Sequence, residues 1–218
     1  MNDLFKIFMD GILETLYMTL TSTTFAYVIG LPLGVLVFVT SSKGIMSMPK
    51  LNSVLSWIVN TGRSIPFIIL MMALIPFTRI IAGSSIGSTA AIVPLTISAA
   101  PFVARLIETA LTEVEDGMIE AASSMGATNF QIIYKVLIPE ALPSIVMGLS
   151  ISMITIMGYS TMAGVGGAGG LGKIAINYGI HRYDYKMLVI ALIILVILVQ
   201  IIQWIFSTIS GNIDKRNQ

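Results

Sequence analysis

The feature that most constrains this chain is the run of residues 15–42, which contains no charged side chain. A helix crosses a hydrocarbon core of about 30 Å with roughly 20 mostly apolar residues, at about 1.5 Å per residue. Inside lipid every backbone N–H and C=O must be paired within the segment, which leaves the helix as its form. Similar runs follow at 51–78, interrupted by Arg63, at 89–111 with Pro94 and Pro101 inside it, at 141–164 and at 187–209. The first crosses at about 15–40, with Gly30, Pro32 and Gly34 marking a kink or a close helix contact. The expected fold class is an all-α integral membrane protein of about five transmembrane helices, occupying residues 11–206.

Composition supports lipid as the solvent. Hydrophobic residues make up 56% of the 218 and charged residues 11%, against roughly 25% charged in soluble domains. The net charge of +1 gives no electrostatic case for nucleic acid. The absence of cysteine excludes thiol catalysis, disulfides and iron–sulfur clusters, and the single His181 excludes a multi-histidine metal site. No cofactor is expected on this chain. The N-terminal residues lack the short apolar core and small-residue cleavage site of a signal peptide, so the first apolar segment is expected to stay as a span.

Five spans place the termini on opposite faces. Charge bias does not decide which is inside. Lys43, Lys50, Arg105, Lys135, Lys215 and Arg216 fall on one side, and Lys6, Arg79, Lys173, Arg182 and Lys186 on the other. The acidic flank of Asp3, Asp10 and Glu14 leans slightly toward an outer N-terminus.

Residues 112–138 do not fit a span. They are too charged to cross and too patterned to be a loop. Met118, Ile119, Ala122 and Met125 share one face of a helix running from Asp116 to Met125. Glu113, Glu115, Asp116 and Glu120 crowd its start, where the helix dipole favours acids, and Gly126 is placed to end it. Thr128 with Gln131 three residues on spells a capping box for a second helix, with Phe130, Ile133 and Leu137 as its apolar stripe. Pro139 and Pro143 bracket the entry to the fourth span, Pro143 being tolerable in a first helical turn. By geometry the pair is either a docking element between spans three and four or an amphipathic hairpin lying on the membrane surface.

Glu120-Ala121-Ala122, Gly126, Ile138-Pro139 and Leu142-Pro143 together resemble the cytoplasmic signature loop of bacterial ABC-importer permeases. The resemblance extends over residues 11–206 and is closest to the methionine-uptake permeases. It is carried by Gly30-Leu-Pro-Leu-Gly34, Arg63-Ser-Ile-Pro-Phe-Ile68, Ile75-Pro-Phe-Thr78, Ala91-Ile-Val-Pro-Leu-Thr96, Ala100-Pro-Phe102 and Gly158-Tyr-Ser-Thr-Met162. It implies a type I importer fold in a bacterial inner membrane, with the paired helices as the ATPase-coupling element. It assigns that contact to Glu120, Ala121, Ala122, Met125, Gly126 and Ala127. It implies a homodimer, two ATP-binding subunits that hold the ATP and Mg, and an extracytoplasmic substrate-binding lipoprotein. It also orients the chain, with the N-terminus outside and the C-terminus cytoplasmic. Methionine as cargo follows from the resemblance alone, since the 14 methionines are ordinary flexible packing residues. Other amino acids and osmoprotectants such as glycine betaine are the alternatives within the class.

Two further regions bear on mechanism. Residues 167–173 spell most of a phosphate-binding loop and also a dinucleotide fingerprint. Ile174 stands where a Ser or Thr must hold Mg²⁺, and no strand precedes the loop, so both nucleotide readings fail. The loop is expected to be either a tightly packed or flexible external segment or, in a functional alternative over Gly164 to Gly172, one that meets the binding protein or moves in gating. Tyr159, Ser160 and Met162 lie late in the fourth span, and Met162 is the candidate for a soft apolar gate, with ordinary helix packing as the alternative. Arg63 either reaches the headgroups from a span boundary, pairs with Glu108, or lines a path. Arg105 and Glu108 are spaced to pair locally. An ion-coupled secondary transporter would need charged mid-span residues and repeated halves, and neither pattern is evident in the sequence.

Overall fold

The computed structural model describes residues 2–42 and 44–214. Lys43, Lys215 and Arg216 of the basic tally lie outside the described residues, as does the side chain of Asp3. The described chain is helical throughout, with no strand.

Helix α1 (Asn2–Thr40) begins well before the expected start at 15. The extension is held by packing: Phe8, Ile7 and Ile12 join a cluster with Leu171, Ile174, Met187 and Ala191. At 39 residues, α1 is about 58 Å long, more than the hydrocarbon core requires. Pro32 lies inside it without ending it.

Helix α5 (Ser88–Thr112) forms the centre of the protein, with Leu95, Val103, Ile107 and Leu111 essentially inaccessible. Its small residues let α1 approach closely. A Cβ placed on Gly30 would sit 2.8 Å from the Ala100 carbonyl oxygen, and one on Gly34 would strike the Ala104 carbonyl oxygen. Close contact, rather than a kink, is therefore the role of these glycines. Helix α9 (Leu142–Ala163) packs beside both. Helix α11 (Tyr185–Ile213) lies outermost, and only 11% of its most apolar window is buried. Leu192, Ile193, Val196 and Ile197 each expose about half their surface, as expected of a helix whose solvent is lipid.

The stretch at 51–78 is not one straight span. It divides into α2 (Pro49–Ser64), α3 (Phe67–Ala73) and α4 (Ile75–Ala82), with α2 and α3 bent by 99°. The cause is local. Pro66 has no N–H and crowds the preceding residue out of the helical region, and Ile65 is extended at ψ 121°. Among the described residues four helices are long and apolar enough to cross, and five when the bent pair counts as one span.

The bundle has two distinguishable ends. At one, Gly87 N–H donates to the Gly167 carbonyl at 3.1 Å, joining the start of α5 to the glycine-rich loop. At the other, Asn52 Nδ2 donates to the Val37 carbonyl at 2.6 Å, joining α2 to the last turns of α1. Residues 113–141 project from this second end, between α5 and α9.

Candidate functional site

The projecting segment is built by its caps. Helix α6 (Asp116–Ser124) ends at Gly126, whose φ of +79° is a left-handed conformation open to glycine. Gly126 N–H donates to the Ser123 carbonyl at 2.9 Å and Ala127 N–H to the Ala122 carbonyl at 3.1 Å, the paired bonds of a Schellman motif. Helix α7 (Asn129–Ile132) opens with the expected capping box. Gln131 N–H donates to Thr128 Oγ1 at 3.3 Å, and Thr128 N–H donates to Gln131 Oε1 at 2.8 Å. A π turn over Ile133–Leu137 leads into the short helix α8 (Ile138–Glu140). The wider turn precedes Pro139, which cannot supply an N–H to the ordinary helical ladder.

One face of this hairpin is anchored. Ile132 and Leu137 are buried with Leu111, Val114, Ala141 and Ile145, and Ile119, Ala122, Ala127 and Ile133 pack against that cluster. Ser144 Oγ donates to Glu113 Oε2 at 2.5 Å, tying the two roots of the hairpin together. The other face is open. Of the apolar face expected for α6, Met118 and Met125 point outward, Met125 being 87% exposed. Phe130, expected in the inner stripe, is 75% exposed and stacks with Tyr134 at a ring separation of 6.5 Å. Ile132 occupies the inner position instead. Glu120 and Ala121 are exposed beside these apolar groups. A shallow depression of about 440 Å³ runs past Met125, Gly126, Ala127, Gln131 and Lys135. A ridge of Met, Phe and Tyr beside acids is an interaction surface by chemistry.

At the opposite end, the loop after α9 is packed rather than open. The short helix α10 (Gly170–Ile174) follows Gly169, and both Gly169 and Gly170 have positive φ. Gly170 N–H donates to Glu14 Oε2 at 2.6 Å, and Leu171 N–H donates to Thr15 Oγ1 at 2.9 Å. The position where a nucleotide-binding loop would hold phosphate is occupied by the chain's own carboxylate. A Cβ on Gly172 would meet the backbone of Thr161 at 2.5 Å, so this glycine permits α10 to lie against the end of α9.

Tyr159, Ser160 and Met162 are adjacent in sequence and separate in environment. Tyr159 stacks on Phe67 of α3 with ring centroids 4.9 Å apart and planes within 3°. Ser160 is buried and donates to the Met157 carbonyl at 2.8 Å, a bond that serves the helix itself. Met162 is 46% exposed. Nearby, α3, α4, the start of α5 and the loop after α9 border a cavity of about 400 Å³, whose lining includes Ile68, Met71, Met72, Arg79 and Val165. The Thr78 hydroxyl is buried in its wall without a partner among the described residues.

Arg105 donates to Glu108 at 2.7 Å, as the spacing predicts. The pairing of Arg63 with Glu108 does not form. Arg63 is exposed in the last turn of α2, one turn before the 99° bend. Its neighbour Gly62 packs on Pro101, a Cβ there lying 2.7 Å from the Pro101 ring. Pro101 is near the middle of α5.

A family model described as "Binding-protein-dependent transport system inner membrane component" matches residues 26–217. A Vibrio cholerae protein named "Probable D-methionine transport system permease protein MetI" is 51% identical over 203 residues, 93% of this chain and 90% of its own length. The Escherichia coli K12 "D-methionine transport system permease protein MetI" is 56% identical over 154 residues, 71% of each chain. Among solved structures, a chain of the MetNI methionine ABC transporter in inward-facing conformations superposes with a TM-score of 0.97 at 49% identity. That match covers 99% of this chain and 100% of that one. An amino acid ABC transporter crystallised with histidines matches with a TM-score of 0.78 at 23% identity, a likeness of fold alone.

Proposed function

The chain belongs to the family of binding-protein-dependent transport system inner membrane components, and from that premise we propose that it forms the membrane path of an ATP-driven methionine importer. The observation that carries this reading is the near-complete superposition, at 49% identity, on the membrane chain of a methionine ABC transporter.

The geometry supports a division of labour. The 113–141 hairpin is the surface on which an ATPase subunit docks, through Glu120, Ala121, Ala122, Met125, Gly126 and Ala127. To these the fold adds the exposed aromatics Phe130 and Tyr134. Its caps make it rigid, so a push on the hairpin passes to α5 and α9 rather than being lost in bending. ATP and Mg²⁺ are held by that partner and not by this chain. The hairpin end therefore faces the cytoplasm, with the N-terminus outside. The glycine-rich loop then lies on the outer face, where a substrate-binding lipoprotein delivers cargo. Two copies of the chain enclose the path, and Met162, exposed at the end of α9, is the candidate gate. Transport proceeds by alternating access, and the likeness to an inward-facing chain supports assigning the present arrangement to the inward-open state.

The deciding experiment is reconstitution of the chain with its ATPase and binding protein in proteoliposomes. ATP-dependent uptake of labelled D- or L-methionine is expected, without uptake of glycine betaine. Uptake of betaine or another amino acid in place of methionine would move the substrate within the class. For the docking surface, Glu120→Arg and Gly126→Trp are expected to abolish co-purification with the ATPase and substrate-stimulated ATP hydrolysis. Normal values of both in both variants would refute that assignment.

A further inference from the structure

Arg63 is a charged side chain that the fold sets level with the middle of α5. Gly62 rests on Pro101 of α5, 13 residues after Ser88 and 11 before Thr112. Those intervals correspond to about 20 Å and about 17 Å of helix. An arginine stem is far shorter than either distance, so Arg63 does not extend to either end of α5. Among the described residues no acid pairs with it, because Glu108 is engaged by Arg105. Its surroundings on α2 are polar for a membrane helix. Asn60, Thr61 and Ser64 are exposed with it, beside the equally exposed Trp57 and Ile58, and among the described residues of α2 only Val59 is buried. A charged side chain at this depth faces water, a path or a partner, since lipid does not solvate it.

The break beside it supplies the opposite polarity. Pro66 has no N–H to offer the Gly62 carbonyl one turn earlier, and the helix ends at Ser64. The carbonyl end of α2, with its partial negative charge, is thereby set at mid-depth. Interrupted helices at this depth are how membrane transporters commonly present backbone charge to small polar cargo.

We propose that Arg63 lines the water-filled path and takes the α-carboxylate of the amino acid in transit, while the carbonyl end of α2 receives its ammonium group. This rests on the amino-acid substrate proposed above. The guanidinium fork matches a carboxylate in two parallel hydrogen bonds. The apolar side chain of the cargo needs only the apolar walls that the protein already offers. The site is a transient stop that recognises the zwitterion common to all α-amino acids; side-chain selection is left to the delivering protein.

The chain contains no cysteine, so Arg63→Cys introduces a single thiol. In the complete transporter, assembled in nanodiscs with cysteine-free partners, an impermeant methanethiosulfonate is expected to label Arg63→Cys and Asn60→Cys. It should leave Val59→Cys unlabelled. Labelling of Arg63→Cys is expected to slow at saturating methionine. In proteoliposomes, Arg63→Gln is expected to lower uptake per ATP hydrolysed about tenfold, the weight of one charged hydrogen-bonded contact, with Arg63→Lys recovering most of it. An unreactive Arg63→Cys, or an Arg63→Gln that transports as the parent does, would overturn the proposal. Wild-type vesicles that import no methionine would overturn the substrate reading instead, a result obtained separately from whether Arg63→Cys is labelled.

Discussion

Gly34 offers a test of the packing that holds the bundle together. Replacing it with alanine adds one methyl group where the Ala104 carbonyl and the Ile107 side chain already stand. The carbonyl belongs to the backbone of the most buried helix and cannot rotate away. Overpacking of this kind costs about 1–3 kcal/mol, while the gain in helix propensity from Gly to Ala returns at most about 1 kcal/mol. The net loss is up to about 2 kcal/mol, equivalent to a fall of up to about 8 °C in melting temperature for a chain of this size. Gly158 is the matched control. It also lies inside a long helix, and nothing stands within 4 Å of a Cβ built on it. Gly158→Ala therefore keeps the propensity gain and is expected to melt at or above the parent. The assay is thermal unfolding of the purified chain in one detergent, followed by the loss of the monodisperse peak. Gly30→Ala, which also meets a backbone carbonyl, is expected to fall with Gly34→Ala. A Gly34→Ala protein that melts as high as Gly158→Ala would refute the close-approach account of α1 on α5.

Three further outcomes follow from particular bonds. Glu14→Gln exchanges a charge-assisted acceptor for a neutral one at Gly170 N–H, so amide hydrogen exchange over 170–174 should rise about tenfold, the rate of the hairpin amides staying constant. At Gly126, where φ is +79° and no atom lies within 4 Å of a Cβ, the cost of substitution is purely conformational. Gly126→Ala should lose about 1–2 kcal/mol of local stability and Gly126→Asn less, seen as graded loss of ATPase stimulation. Thr128→Ala removes the cap of α7 and should cost about 1 kcal/mol, read as faster exchange at Gln131 and Ile132.

What the sequence reveals here is mostly what is local. The Thr128–Gln131 box, the Gly126 stop and the Arg105–Glu108 pair each depend on residues within one turn, and each forms as spaced. Proline shows the limit of such reading. Pro32, Pro94 and Pro101 lie within unbroken helices, whereas Pro66 bends the chain by 99°. The difference is tertiary. Helix α5 is buried along its length and its neighbours hold it straight, while α2 buries Val59 alone and has little to resist the break. The outward turn of Phe130 arises the same way, because Ile132 and Leu137 compete better for the core. The bonds from Glu14 and Thr15 to the glycine-rich loop span 156 residues of sequence, and no spacing rule reaches that far. Those bonds also explain why a loop that reads as a phosphate cradle is already filled.

Helix α1 touches both ends of the molecule without interruption. Glu14 and Thr15 grip the glycine-rich loop, and Val37 and Thr40 hold the start of α2 at the hairpin end. Mechanically it is a stiff rod about 58 Å long, and a swing of about five degrees about one end carries the other about 5 Å, close to one helical pitch. Information can cross this protein as rigid displacement, with no relay of switching contacts in between. Softening the rod, as by a glycine pair at mid-length, would leave both ends correctly folded and out of step with each other.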